Sequence, residues 1–166
     1  MIGIMFATMG RWPAIAAGST PAPIATGSTL DEALWSHVLG DANVSAIIGQ
    51  RFFPDAIPQN EQIPAAVYQQ ISSVADETLD GASGLTFARY QISAWAATRR
   101  EAKSLAEAIR LRLQSFRGDM GDVNVQDISL IDRRDAYEPA VQNAQQSRHG
   151  VQIDFQIWFT ETVPTH

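Results

Sequence analysis

Val151-Gln152-Ile153-Asp154-Phe155-Gln156-Ile157-Trp158-Phe159 alternates without interruption. Val151, Ile153, Phe155, Ile157 and Phe159 fall on one side, and Gln152, Asp154, Gln156 and Trp158 on the other. Side chains of a strand point to alternate faces, so this run predicts a β-strand with one face against a core. Leu85 to Ala96 has the same form. Ala88, Tyr90, Ile92 and Ala94 share one side, and Arg89, Gln91 and Ser93 the other. Ala65 to Ser73 precedes it as a further extended run. Thr78 to Gly84 between them reads as a turn, with Asp80-Gly81 the reversal signal. The two runs predict a long β-hairpin and therefore antiparallel pairing.

Helical signals surround these strands. Thr29-Leu30-Asp31-Glu32 has the form of a capping box, and a helix to about Leu39 follows, with Leu30, Leu34 and Val38 on one face. Asp41 caps a second short helix that Gly49 ends. Gln50 to Phe53 is a short extended piece stopped by Pro54, and the prolines at 54, 58 and 64 make 54–64 irregular. Thr98 to Phe116 is the main helix, closed by Gly118. Its apolar stripe of Ala102, Leu105, Ala106, Ile109, Leu113 and Phe116 is about 100° wide. Val123 to Asp132 is a strand whose apolar phase shifts from Val123/Val125 to Ile128/Leu130, which predicts a bulge or burial on both faces. Residues 133–150 are polar and read as loop.

The order is α-α-β-β-α-β-β. It predicts an α+β class: a mostly antiparallel sheet of about four strands with a long hairpin, packed against one main helix plus short N-terminal helices. The 166 residues suit one domain. Residues 1–28 stand apart: they hold a single charge, Arg11, and are rich in Ala, Gly, Pro, Ser and Thr. They read as an N-terminal arm, flexible or ordered on assembly, ahead of a domain at 29–166. A secretory signal fits them poorly, because the basic leading region is missing and Pro13 interrupts the apolar stretch.

Composition excludes several function classes. The chain has no cysteine, which removes disulfides, thiolate nucleophiles and thiolate metal sites. No apolar run approaches bilayer length, so no membrane partner is expected. The net charge of −6 and a pI near 4.9 disfavour a protein that grips phosphate backbones. The three histidines, His37, His149 and His166, form no metal-ligand spacing. No nucleophile elbow occurs. Asp80-Gly81-Ala82-Ser83-Gly84 lacks the lysine and following helix of a phosphate loop, and it reads as a hairpin tip. The acids Asp76, Glu77 and Asp80 read as solvated turn charge before a cation site. No cofactor and no catalytic residue is expected.

Two surfaces are left as candidates for binding. Six of the 12 basic residues lie in 99–117, and Arg99, Lys103, Arg110 and Arg117 line one side of the main helix. They read as a solvated flank, with Lys103–Glu107 and Glu107–Arg110 pairs, or as a docking face for an acidic surface. Leu111 falls on the same polar side, where an oligomer interface would cover it. The polar faces of the two alternating strands, with Arg89, Trp95 and Trp158, suit either solvent or a partner.

These residues resemble the tail-completion, or tail-terminator, proteins of long-tailed phages and phage-like particles. The likeness begins at Leu30-Asp31-Glu32-Ala33-Leu34-Trp35. It continues through Gly49-Gln50-Arg51-Phe52-Phe53-Pro54 with Pro58, and through Ile63-Pro64-Ala65-Ala66-Val67-Tyr68-Gln69 into the sheet. Leu79-Asp80-Gly81 is similar to the family's hairpin turn, and Arg89-Tyr90-Gln91-Ile92-Ser93-Ala94-Trp95 to its Arg-x-Gln strand. The likeness covers about 29–160. It implies a structural virion protein, gene-transfer-agent-like in kind. Such a protein forms a homo-oligomeric ring, commonly a hexamer, at the head-proximal end of the tail. The ring ends tube polymerisation and joins the tail to the head connector or stopper protein. Its partners would be itself, the tail tube protein and the connector, with DNA only as passing cargo and assembly in the host cytoplasm. The interface residues expected on this reading are Arg99, Lys103, Arg110, Leu111, Asp80, Gly81, Arg89, Trp95 and Trp158. Two other readings compete. One is a small ligand-binding or enzymatic α+β domain using the 76–84 loop. The other is a DNA-binding accessory factor using the arginine-rich helix.

Overall fold

The structure, a computed structural model, describes residues 29–79, 81–140 and 146–163. The readings made for residues 1–28 and for Asp80 lie outside the described residues. Helix α1 (Leu30–Leu39) starts as expected: Glu32 N–H donates to the Thr29 hydroxyl, and the Glu32 carboxylate accepts from Thr29 N–H. Helix α2 (Ala42–Ile48) is capped by Asp41, whose carboxylate accepts from the N–H groups of Asn43 and Val44. Then come β1 (Phe52–Pro54), β2 (Ala65–Thr78), β3 (Gly81–Ala96), α3 (Arg99–Leu113), β4 (Gly118–Met120), β5 (Val123–Glu138) and β6 (Arg148–Thr160).

The class is α+β, but the sheet has six strands rather than four, in the order β1-β2-β3-β6-β5-β4. It is also mixed, because β1 runs parallel to β2 while the other pairs are antiparallel. The two ends of the expected loop at 133–150 are strand. β5 runs on to Glu138 and β6 already begins at Arg148, with Arg134 facing Gln152 and Glu138 facing Arg148. Charged residues read as loop in sequence. Here they are tolerated in strands because they pair across the ladder: Arg134 Nε donates to Gln152 Oε1 at 2.8 Å, and Arg148 Nε to Glu138 Oε2 at 2.5 Å. The phase shift in β5 is a bulge, one of two register shifts on that strand, at Val125/Asp127 and Leu130/Asp132.

Helix α3 stops at Leu113 rather than Phe116. Ser115 takes φ 62°, and its N–H donates to the Ile128 carbonyl, so the chain leaves the helix to join β5. The hairpin is longer than its sequence signal, with the strands paired out to Thr78 opposite Gly81.

All three helices pack on one sheet face. Leu105, Ile109 and Leu113 of α3 meet Ala88, Tyr90 and Ile92 of β3 and Ile153, Phe155 and Ile157 of β6 in one buried cluster, joined by Leu34 and Val38 of α1 and Val44 and Ile48 of α2. Removing so much apolar surface from water is the main stabilising term. Tyr90 spans this core, and its hydroxyl donates to Asp31 Oδ1 at 2.7 Å, tying α1 to the sheet. Burial first, and the Asp31 carboxylate second, raise the Tyr90 phenol far above its ordinary pKa, so it remains a neutral donor.

Candidate assembly interface

The register places Phe87, Arg89, Gln91, Ser93 and Trp95 of β3 on the sheet face opposite the helices. There they lie beside Gln152, Asp154, Gln156 and Trp158 of β6. Asp154 is only 2% exposed although it stands on this uncovered face. Arg89 Nη2 donates to its Oδ2 at 2.6 Å, Gln91 Nε2 to its Oδ1 at 3.0 Å, and Arg134 Nη1 lies 3.6 Å away. Burial pushes the Asp154 carboxyl up, but the hydrogen bonds from Gln91 and Arg89 and the two guanidinium charges outweigh it, so its pKa lies below 3.8. At one end of this face Trp158 packs on Phe87, ring centroids 4.8 Å apart. At the other end Trp95 lies flat over Gly150, with the Arg148 guanidinium 5.5 Å from its ring.

The basic side chains of α3 are engaged within the chain. Arg99 and Lys103 both meet Asp135 of β5, at 2.6 and 3.4 Å. Glu107 accepts from Arg110 and from Arg133, at 2.5 and 3.0 Å, which holds its carboxyl at a pKa of about 2. The expected Glu107–Arg110 pair forms, whereas Lys103 turns to Asp135 instead of Glu107, since β5 extends far enough to bring that carboxylate under the helix. Arg117 lies beyond the helix and pairs with Asp127 at 3.0 Å. Arg100 forms no ion pair among the described residues. Leu111 projects to solvent, 68% exposed. His37, expected to be solvent-facing or packed, is packed: its ring sits on Phe116, and Arg112 Nε donates to its carbonyl at 2.9 Å.

The hairpin is the most unusual surface. From Gln69 to Thr78 every residue of β2 is exposed, on both faces, the large apolar Ile71 and Val74 among them, and exposed Leu79 follows the strand. The apolar run Ala65-Ala66-Val67-Tyr68, buried on both faces, ends at Tyr68, and that end is the sequence signal that the strand leaves the core. Among the described residues no group of three or more His, Cys, Asp or Glu is placed to hold a metal, and no helix is long and apolar enough to cross a membrane.

The family model described as Tail completion protein gp17 matches residues 32–160. The chain belongs to this tail-completion family. It is a phage tail structural protein and not an enzyme, so the enzymatic reading of the 76–84 loop falls away. Among solved structures, a chain of "Virion of native gene transfer agent (GTA) particle" has a fold similar to this one. The TM-score is 0.59 at 16% identity, over 82% of this chain and 98% of that one. No curated protein matches. Of the residues singled out from sequence, Arg89, Trp95 and Trp158 share the open face, and Arg99, Lys103, Arg110 and Leu111 share α3. Gly81 opens β3 at the hairpin end, away from both groups. Asp154, Gln91 and Arg134 were missed as a cluster, since only the strand pairing brings them to Arg89.

Proposed function

We propose that this tail-completion protein forms a ring at the head-proximal end of the tail tube. In this reading the ring ends tube polymerisation, presents a surface to the head connector and lets DNA pass through its centre. The observation that carries the reading is strand β2, exposed on both faces from Gln69 to Thr78, together with the projecting hairpin end that follows it. Up to Ala75 this strand is an open edge of the sheet, and past Ala75 and Leu85 the hairpin leaves β6 and continues as a two-stranded ribbon, which is marginal alone in water. Exposed Ile71, Val74 and Leu79 gain by contact with a neighbour. A structural neighbour drawn from a gene transfer agent virion supports a place in a particle of that kind. The acidic balance, −6, supports a lumen that DNA crosses without sticking, since like charge avoids phosphate contacts.

The test is tube growth. Polymerising tail tube protein is mixed with this chain, and tube lengths and ends are imaged. Short tubes with a density at one end only support termination. Tubes of unchanged length with bare ends overturn it.

A further inference from the structure

The hairpin end and the α3 groove form a complementary pair that one chain cannot close on itself. At the hairpin end Leu79 is fully exposed, with Asp76 and Glu77 just before it, and residues 69–88 contain no lysine or arginine. This end is an apolar knob with an acidic collar. On the outer side of α3, between α2 and β5, lies a groove of about 890 Å³. Ala108 and Leu111 give it an apolar floor. Arg100, Lys103, Arg112 and Arg133 surround that floor, against the two carboxylates of Asp41 and Glu107. Arg100 has no carboxylate partner among the described residues, and Arg112 is held by the His37 carbonyl rather than by an acid. The groove therefore keeps net positive charge, although two of its four cations, Lys103 and Arg133, are already paired with carboxylates.

Position decides the occupant. β2 and β5 lie on opposite sides of the central β3–β6 pair, so knob and groove are on opposite flanks of one subunit. We infer that the hairpin end of one copy seats Leu79 against Leu111 of the next copy, with Asp76 and Glu77 facing Arg100 and its neighbours. The contact is head-to-tail: each copy gives one arm and receives one. Such a contact propagates and closes into a ring when the rotation per copy closes. The inference rests on the ring reading and adds the contact that builds it.

The chain has no cysteine, so introduced ones are unambiguous. Leu79→Cys and Leu111→Cys are both at exposed positions that leave the core untouched. The double variant is oxidised, alone and on purified tail tubes, and run without reductant. A ladder of crosslinked species rising to the ring size supports the contact, provided each single variant gives no ladder. Oligomers seen by light scattering but without 79–111 crosslinks overturn the contact and leave the ring reading standing. Dimers from Leu79→Cys alone also overturn it, since they report end-to-end pairing. Absence of any oligomer, with and without tubes, overturns ring and contact together. A charge exchange gives a second test. Glu77→Arg or Arg100→Glu alone weakens association roughly tenfold, and the two combined restore it. Failure of the pair to restore association counts against the contact.

Discussion

Arg89 Nη2 lies 2.6 Å from Asp154 Oδ2, diagonally across β3 and β6, on the sheet face turned away from the helices. The carboxylate is buried and the guanidinium is partly exposed, so the pair forms a lid of polar groups over the sheet centre. Its energetics follow from the asymmetry of buried hydrogen bonds: removing the acceptor strands the donors of Arg89 and Gln91.

Asp154→Asn is therefore expected to destabilise the fold by about 1–3 kcal/mol near neutral pH, measured by chemical unfolding. The pH dependence has a definite sign. The folded pKa of Asp154 is lowered below 3.8, so its stabilisation is complete above the unfolded value and is lost as pH falls through the folded one. The difference between wild type and Asp154→Asn should be flat near neutral pH and shrink below about pH 3.8. A difference that grows on acidification would contradict the assignment.

Gly150 tests the packing at the far end of the same face. A Cβ added there would stand 2.7 Å from Trp95 Cζ3. Gly150→Ala must displace the indole and with it the Arg148 contact at 5.5 Å. The expected cost is about 1–3 kcal/mol, with a change in tryptophan emission.

Two neighbours on α3 separate folding from assembly. Ile109 is fully buried, whereas Leu111 is 68% exposed. Ile109→Asp places an unpaired charge in the core and should prevent folding. Leu111→Asp should leave the melting transition within about 0.5 kcal/mol of wild type while lowering oligomer mass in light scattering. Retained oligomers in a folded Leu111→Asp protein would take Leu111 out of the interface.

Shortening the hairpin tests the arm. Replacing residues 76–83 with Asn-Gly removes strand that is exposed on both faces and leaves the Thr86 hydroxyl bond to Glu161, 2.8 Å, in place. The shortened chain should melt close to wild type and fail to assemble. A large loss of stability would mean that the arm supports its own subunit.

The sequence made parts of this fold legible because one physical signal dominated them. Strict alternation marks β6 and the inner half of β3, each with one face in the core. Capping residues Thr29 and Asp41 mark α1 and α2. Strand length was hidden wherever both faces leave the core. β2 beyond Tyr68 and β5 beyond Ile131 carry Ser, Asp and Arg that lack a strand pattern, and their pairing partners lie up to tens of residues away. β4 has only three residues, between glycine turns, and shows no periodicity. The Asp154 cluster was illegible for the same reason, since Arg89 and Asp154 are separated by 65 residues and meet only through register.

The central claim is that copies of this chain close into a ring. Its most direct test is the mass of the size-exclusion peak by light scattering, with negative-stain images of the same fraction, before and after adding tail tubes. The account predicts an integer multiple of 18.1 kDa and a particle with a central hole, free or seated on one tube end. A monomer that stays monomeric with tubes present, or that decorates their sides, would contradict it.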